Sequence, residues 1–212
     1  MAYRIEAILT GRAVSFRGEE KSAIAKQPAP GPVSVGAMGL EGDEQADRVH
    51  HGGTHMAVHH YPLDHYDGWR AELDSHPLLA APGAFGENIS TLGLTEADVL
   101  IGDRYRLGSA LVEVSQGRQP CWKIDHKFGA KGITASVLKS GRCGWYYRVL
   151  EPGVVTAGDS FVLEAAGHKG WSIARVFALM FHKGADRSEL AELAALDALS
   201  PEWRERAMAK VG

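Results

Sequence analysis

Alternating apolar and polar residues predict one β-strand near the start of the chain and a series of strands through its middle. The segments that alternate are residues 3–9 (YRIEAIL), two stretches within 99–116 joined by a tight Gly-Ser turn, 144–150 and 158–165. Before residue 167, helical spacing is confined to short inserts over residues 63–73 and 132–141. A strand-dominated region with short inserts predicts an antiparallel β-barrel more than a βαβ sheet.

The pattern changes near residues 167–170, after which helical spacing takes over. Three segments each begin with a serine suited to an N-cap, over residues 172–181, 188–199 and 200–210. Pro201 suits the first helical position of the last segment. Helices this short are not stable alone, so they must pack on each other or on the barrel. We therefore predict a mainly β fold with a barrel domain over residues 1–168 and a three-helix module over residues 169–212.

Composition and charge bound the class of protein. Hydrophobic residues make up 45% and charged residues 23% of the 212 residues, ordinary globular values that allow a sizeable core. The net charge of -3 gives no general attraction to nucleic acid or to an anionic membrane. The first residues lack a signal-peptide pattern, and no apolar run is long enough to span a bilayer. We expect a cytoplasmic protein with no nucleic-acid or membrane partner, in which Cys121 and Cys143 form no disulfide.

One of the two cysteines stands among cations, in the stretch RQPCWKI. Arg118 lies three residues before Cys121, and Lys123 lies two residues after it. Nearby cations favour the thiolate of a cysteine, and so its use as a nucleophile or a metal ligand. In an extended chain Gln119, Cys121 and Lys123 would point to one side, and Arg118 and Trp122 to the other. A half-buried residue at a strand end is the alternative, and spacing alone leaves both interpretations open.

Histidine is concentrated in one region, because six of the ten histidines lie between His50 and His65. His55 and His59 are four residues apart and would share a face if helical, which is the spacing of a zinc site. Against this, the glycines of HGG break a helix, and AVHHY is typical of a strand in which His59 and His60 point to opposite faces. Histidines that bind nothing are the alternative. The HGG loop could also bring backbone N–H groups close to an anion.

Seven short blocks, taken together, resemble one known family. They are GLEGDEQAD, HGG, AVHHYP, FGENI, GLTEADVLIGD, EVSQGRQPCWK and GWYYRVLEPG, in the order and approximate spacing of the MOSC family. This family is named after the C-terminal domain of molybdenum cofactor sulfurases. The likeness is greatest to its YiiM-like branch, whose members carry a three-helix extension, and it covers nearly the whole chain.

The resemblance implies a MOSC-type β-barrel that binds the molybdenum–molybdopterin cofactor, with Cys121 as a ligand of the metal. Characterised relatives reduce N-hydroxylated compounds, including purine and pyrimidine base analogues, to amines and so detoxify them. From the blocks we nominate as catalytic residues Cys121, His51 and Asn88, and as cofactor-binding residues Gly52, Gly53, His59, Arg118 and Lys123. Arg142, beside Cys143 and just before the last block, is nominated as a further cofactor-binding residue through a phosphate contact. Since Arg118 and Lys123 would diverge on a strand, only one of them is predicted to contact the cofactor. Glu87 is as well explained by a structural role.

The chain departs from the family pattern just after HGG. The family usually has Pro-Asp-basic there, whereas this chain has Thr54, His55 and Met56. The basic residue is absent, so an anionic group that it would contact must be held by other residues.

Two other functions remain open on the sequence. The chain could hold molybdopterin without turnover, as a carrier or sensor, or Cys121 could carry a persulfide in sulfur transfer. No flavin, dinucleotide, haem or iron–sulfur motif is present, so electrons are expected from a separate flavoprotein or another reductase. The helical module is open to three interpretations: a docking surface for that reductase, a lid over the pterin or a dimer contact.

Overall fold

The computed structural model describes residues 2–46 and 52–212, and short strands dominate the first three quarters of the chain. In chain order they are β1 (Ala2–Arg4), β2 (Ala7–Thr10), β3 (Val14–Arg17), β4 (Glu20–Ser22), β5 (Gln27–Pro28), β6 (Val33–Gly36), β7 (Gly39–Leu40), β8 (Val58–His60), β9 (Ile89–Ser90), β10 (Arg104–Leu107), β11 (Ala110–Gly117), β12 (Trp145–Glu151), β13 (Gly153–Val155) and β14 (Ser160–Ala165).

One nine-stranded sheet forms the barrel wall, in the order β1-β14-β10-β11-β12-β8-β9-β2-β5. Its pairs are antiparallel except for β8 with β9, which is parallel. Strands β1 and β2 belong to one segment of chain but pair near opposite ends of this order, with β14 and with β9. The single strand predicted over residues 3–9 is therefore two strands. They divide where Ile5 donates its N–H to Asp159 and Glu6 donates its N–H to Ser90, so that one segment joins both ends of the wall.

Six α-helices are present in the described ranges, and one of them was not predicted. They are α1 (Tyr66–Glu72), α2 (Trp122–Phe128), α3 (Ile133–Ser140), α4 (Ile173–Phe181), α5 (Arg187–Ala194) and α6 (Pro201–Val211). Helix α2 is the unpredicted one. Ile124 and Phe128, four residues apart, are its buried positions, and a helix of two turns is too short to show a clear period.

The serines predicted to begin the C-terminal helices do so in two of three cases. Ser172 and Ser200 are N-caps whose side chains accept the backbone N–H three residues later, and Pro201 is the first residue of α6. The prediction for α5 was wrong at both ends. Asp186 caps that helix through the N–H of Ser188, and the helix stops at Ala194, because a carboxylate caps a helix as well as a hydroxyl does.

The three helices pack directly on the barrel. The N–H of Ile173 donates to the carbonyl of Val99 (2.8 Å), and the N–H of Ser200 donates to the carbonyl of Ser115 (2.9 Å). Buried side chains of the strands and of the three helices form one hydrophobic core. The prediction of a mainly β barrel followed by three helices is thus confirmed. Within the described residues, no helix is long and apolar enough to cross a membrane.

Candidate functional site

Cys121 lies at the start of a helix, just beyond the end of β11. It is the N-cap of α2, and its carbonyl accepts hydrogen bonds from the N–H of Ile124 (3.0 Å) and the hydroxyl of Thr134 (3.1 Å). Because the helix begins at residue 122, the predicted divergence of Arg118 and Lys123 along a strand was wrong. Both residues line the same cavity as the thiol.

This cavity, which we call the cysteine cavity, encloses about 100 Å³. Five of the predicted site residues line it: His59, Asn88, Arg118, Cys121 and Lys123. Residues that were not predicted also line it, among them Lys26, Asp43, Gln45, Met56 and Tyr146. The predicted catalytic residue His51 lies outside the described residues.

Strand β8 sends its two histidines to opposite faces, which confirms the predicted alternation. His59 lines the cysteine cavity, whereas His60 lies in the core. The Nδ1 of His60 is 3.0 Å from the hydroxyl of Tyr147, and its Nε2 is 3.0 Å from the hydroxyl of Thr91. His55 shares no helical face with His59, because it lies in a 3-10 turn over Thr54–Met56. In residues 2–46 and 52–212, no group of three or more His, Cys, Asp and Glu side chains could hold a metal ion.

Two buried polar atoms of the cavity residues have no hydrogen-bond partner in the described part of the chain. They are Nη1 of Arg118, which is 6% exposed, and Nε2 of His59, which is 3% exposed. A buried polar group without a partner costs free energy, so each atom indicates a place for a bound group. Burial, together with the cation of Arg118, lowers the pKa of His59 well below its ordinary value, so the imidazole is neutral at pH 7.

Among the described residues that line the cavity, charge pairing leaves an excess of positive charge. Lys26 is almost fully buried and pairs with the equally buried Asp43, and Glu44 pairs with a cation outside the cavity at 3.6 Å. Arg118 and Lys123 have no ion pair within the part of the chain that the structure describes. A phosphate or another anion is the kind of group that these two side chains would bind.

Asn88 holds the wall of the cavity together. Its amide nitrogen donates to the carbonyl of Leu9 (3.1 Å) and to the carboxylate of Asp43 (2.9 Å), and its amide oxygen accepts the N–H of His59 (2.9 Å). Both amide hydrogens are therefore already used. The bonds give Asn88 a positioning role, in contrast to the catalytic role that the sequence suggested.

A buried carboxylate supports the neighbouring wall. Glu87 accepts hydrogen bonds from the hydroxyl of Tyr66 (2.5 Å) and from the N–H groups of Gly83 (2.6 Å) and Phe85 (3.0 Å). The ammonium of Lys127 donates to backbone carbonyls, including that of Gly83, and burial lowers the pKa of this lysine to about 8. Glu87 thus has a structural role, and Lys127 adds a further amine close to the cavity.

Arg142 is not brought to the cavity. Its guanidinium donates to Glu72 (2.6 Å) and lies 3.8 Å from the centre of the Trp69 ring. The phosphate contact predicted for Arg142 is not made from this position. Cys143 is free and fully buried, and its thiol donates to the carbonyl of Gly144 at 3.1 Å.

The HGG loop reaches the cavity indirectly. The N–H of Gly53 donates to Oε1 of Gln45 (2.9 Å), and Gln45 lines the cavity, whereas Gly52 and Gly53 are not among the described lining residues. Where the chain departs from the family pattern, Met56 lines the cavity. The Nδ1 of His55 lies 3.4 Å from a guanidinium nitrogen of Arg148 instead.

Tyr146 is the most informative of the residues that sequence reasoning missed. Its ring packs on His59 with 4.9 Å between ring centres, and the guanidinium of Arg118 contacts its hydroxyl. Burial raises the pKa of Tyr146, so the hydroxyl keeps its proton at pH 7. Tyr146 and Asp43 lie in blocks that carried the family resemblance, so a signal existed for both. Lys26 lies in none of those blocks, and a single lysine in a proline-rich stretch gives no signal.

Two family models match the chain. The model of the MOSC domain matches residues 47–162, and the model described as YiiM-like, 3-alpha helix domain, matches residues 171–211. The crystal structure of YiiM from Geobacillus stearothermophilus superposes with a TM-score of 0.86 at 33% identity, covering 99% of this chain and 100% of that one.

Three curated proteins are similar over most of this chain. The uncharacterized protein YflK of Bacillus subtilis is 42% identical over 90% of this chain and 85% of its own length. Protein YiiM of Escherichia coli is 37% identical over 96% of this chain and 90% of its own length. A protein of Gibberella moniliformis named Reductase is 41% identical over 84% of this chain, which spans 32% of that protein.

Proposed function

The chain belongs to the MOSC family, with a YiiM-like helical extension, and on that premise we propose that it is a molybdenum-cofactor-dependent reductase of N-hydroxylated compounds. The proposed substrates are N-hydroxylated purine and pyrimidine base analogues, which the reaction detoxifies by returning them to amines. A relative that bears the name Reductase supports an oxidoreductase in general.

One observation carries the proposal. The half-buried thiol of Cys121 shares a cavity with two residues, Arg118 and His59, that each bury a polar atom without a partner in the described part of the chain. A fold that held nothing here would gain stability by filling the cavity or by pairing these atoms. The arrangement therefore supports a bound group that is anionic and that accepts a sulfur ligand.

The chemistry of these residues fits the cofactor. A thiolate is a soft ligand, suited to a metal that two sulfur atoms of the cofactor already hold. Arg118 and Lys123 would hold the phosphate. The carbonyl of Cys121 is fixed by two hydrogen bonds, so the thiol is presented without rearrangement of the chain.

When bound, the cofactor supplies the two-electron redox chemistry that no side chain provides. The chain would contribute Cys121 as ligand of the metal, a neutral imidazole at His59 and a proton-bearing hydroxyl at Tyr146. Because Tyr146 keeps its proton and its hydroxyl contacts a guanidinium, it can donate a hydrogen bond to the oxygen of an N–OH group.

Reduction of R–NH–OH breaks the N–O bond, takes up two electrons and two protons, and releases R–NH2 and water. The reductant is proposed to be a separate flavoprotein or another reductase, because the sequence has no electron-donor motif. A carrier that holds the cofactor without turnover and a persulfide carrier are the alternatives that the experiment must separate.

The test compares wild type with Cys121→Ala, and uses Cys143→Ala as the matched control. All three proteins are purified from a host that makes the cofactor. Molybdenum is measured by elemental analysis, the released pterin by fluorescence, and the reduction of an N-hydroxylated purine with a chemically reduced dye as donor. We expect stoichiometric molybdenum and turnover in wild type and in Cys143→Ala, and loss of both in Cys121→Ala.

Two results would overturn the proposal. Molybdenum and pterin without turnover of any N-hydroxylated compound would identify a carrier or sensor. An absence of both, with a sulfur released from Cys121 by mild reductant, would identify a sulfur-transfer protein.

A further inference from the structure

A second cavity adjoins the thiol of Cys121, on the side of the C-terminal helix α6. It has a volume of about 410 Å³, and it shares Cys121, Met56 and Tyr146 with the cysteine cavity. The remaining lining residues are Gln116 and Gln119 of the barrel and Glu202, Trp203 and Arg206 of α6. We call it the helix cavity. Its volume lies in the range of small-molecule sites, which runs from about 300 to about 1,000 Å³.

A glutamine amide lines this cavity. Gln116 lies on β11 and is 3% exposed, and the amide of a glutamine carries two hydrogen-bond donors and an acceptor. A ligand with a complementary edge of donors and acceptors would form hydrogen bonds with this amide.

The charges of the described residues that line the helix cavity cancel, unlike those of the described residues that line the cysteine cavity. Arg206 lies 3.6 Å from the carboxylate of Glu202, and its guanidinium also donates to Oε1 of Gln119. No net charge is left among these described residues for an anion to pair with. The aromatic rings of Trp203 and Tyr146 add flat apolar surface to a lining that otherwise consists of Met56, Cys121, two amide groups and the two charged groups. A neutral, planar molecule with a polar edge matches this lining.

We propose that the helix cavity is the substrate subsite and that it takes the ring of a heterocyclic nitrogen base, with Gln116 and Arg206 as the residues that set specificity. This inference rests on the proposed function, since it places the N–OH group at the junction of the two cavities, beside Cys121. The three-helix module then forms one wall of the site, because α6 supplies Glu202, Trp203 and Arg206.

The experiment uses Gln116→Leu and Arg206→Ala, with Glu205→Ala and Lys210→Ala as controls on the exposed face of α6. Each holoprotein is assayed for molybdenum and pterin content, and for KM and kcat with an N-hydroxylated purine and with an N-hydroxylated benzamidine, which lacks the polar edge of a base. Binding of adenine is measured separately by isothermal titration calorimetry. Arg206→Ala changes a partly exposed side chain, so it keeps the test valid if Gln116→Leu fails to fold.

We expect both site variants to raise KM for the N-hydroxylated purine about ten- to a hundredfold and to weaken adenine binding by a similar factor. In both site variants, KM for the N-hydroxylated benzamidine and the cofactor content should stay within about twofold of wild type. In both control variants, every measured quantity should stay within about twofold of wild type. Unchanged KM and unchanged adenine binding in both variants would overturn the inference. Loss of pterin in the variants would also overturn it, because the cofactor rather than the substrate would then occupy the helix cavity.

The two proposals can fail separately. Wild-type protein without molybdenum that still binds adenine, and loses that binding in Arg206→Ala, would refute the reductase and retain the base subsite. An active molybdenum enzyme whose site variants behave like the controls would retain the reductase and refute the subsite.

Discussion

Trp203 of α6 packs against Gly117, the last residue of β11, so closely that a Cβ on residue 117 would lie 3.2 Å from the end of the indole ring. The N–H of Ser200 donates to the carbonyl of Ser115 on the same strand. The helical module is therefore fixed to the barrel one residue before Arg118, where the loop that carries Cys121 begins. Packing of the module and the geometry of the site depend on the same contact.

Trp203→Ala should lower the free energy of unfolding by about 3–5 kcal/mol, the usual loss for truncation of a buried tryptophan. Trp203 is 1% exposed and packs against Phe181 with 5.7 Å between ring centres. Urea denaturation, followed by circular dichroism, measures the change. Trp122→Ala is the matched control, because Trp122 is partly exposed and stacks with Arg17 at 3.7 Å. Trp122→Ala should lower the free energy of unfolding by no more than about 1 kcal/mol. Equal losses in the two variants would contradict the assigned role of Trp203.

Arg118→Met should leave the cofactor-free protein as stable as wild type, or more stable by about 1 kcal/mol, and should abolish cofactor binding. The buried guanidinium has one nitrogen without a partner in the described part of the chain, so an apolar side chain of similar length removes a desolvation cost. Chemical denaturation of protein from a cofactor-deficient host gives the stability. Elemental analysis of protein from a competent host gives the metal content.

Arg142→Ala is the matched control for Arg118→Met, because it removes an arginine that lies away from the cysteine cavity. The Arg142 guanidinium pairs with Glu72 and stacks on Trp69 away from the cavity, so we expect a loss of about 1 kcal/mol of stability and no loss of metal. If Arg142→Ala lost the metal and Arg118→Met kept it, the assignment of the two arginines would be reversed.

How far the sequence predicts the fold depends on the length of each element. Alternation over β11 and over β12 runs for seven or more residues, and both strands were predicted. The strand over residues 3–9 was not seen to divide, because the division serves closure of the barrel, which is a long-range property. Helix α5 was misplaced at both ends, since Asp186 and Ser188 are both plausible caps and only packing selects one.

The sequence nominated Cys121 for the candidate site because cysteine is rare in this chain and this one stands between the cations Arg118 and Lys123. The family resemblance supported the same nomination. Asn88 was assigned because it lies within the family block FGENI, and Arg142 because it stands beside Cys143 and before Gly144. The structure gives both of them structural hydrogen bonds. Lys26 comes to the cysteine cavity from a distant segment between β4 and β5. The sequence pattern does not report which distant residues tertiary contacts bring there.

Asn88→Ala should lower stability and cofactor content together. Truncation leaves the carbonyl of Leu9, a carboxylate oxygen of Asp43 and the N–H of His59 without their partner, and each buried group costs about 1–3 kcal/mol. The total need not be the sum, because the wall can relax. Thermal unfolding and metal analysis on one preparation measure both effects. Full stability and metal content with a loss of kcat alone would restore the catalytic role suggested by the sequence.

One thiol per chain should react with iodoacetamide in the native, cofactor-free protein, and two should react in denaturant. Cys121 is partly exposed and Cys143 is fully buried, with its pKa raised by burial. Mass spectrometry of the intact protein counts the labels, and Cys121→Ala and Cys143→Ala assign them. The cofactor-loaded protein should be protected at Cys121. Rapid labelling of Cys143 in the native state would contradict its burial.

Acid should destabilise the fold between pH 6.5 and pH 3 through the buried histidines of β8. Burial lowers the pKa of His60 from 6.5 to about 3, and the pKa of His59 is also lowered well below 6.5. Within that window the unfolded chain therefore binds more protons than the folded one, so the free energy of unfolding falls as pH falls. Each histidine contributes at most about 1.4 kcal/mol per pH unit.

His60→Gln is the variant that tests this, because glutamine can still form hydrogen bonds with Tyr147 and Thr91 but does not titrate. Urea denaturation of the cofactor-free protein at pH 7, 6, 5 and 4 gives the pH dependence. The slope below pH 6.5 should be shallower in the variant by up to about 1.4 kcal/mol per pH unit, and Gln at both positions 59 and 60 should flatten it further. A slope unchanged by His60→Gln would mean that this imidazole takes up its proton over the same pH range in the folded and in the unfolded chain. Its two hydroxyl contacts would then have to be reassigned as hydrogen bonds donated by a cation.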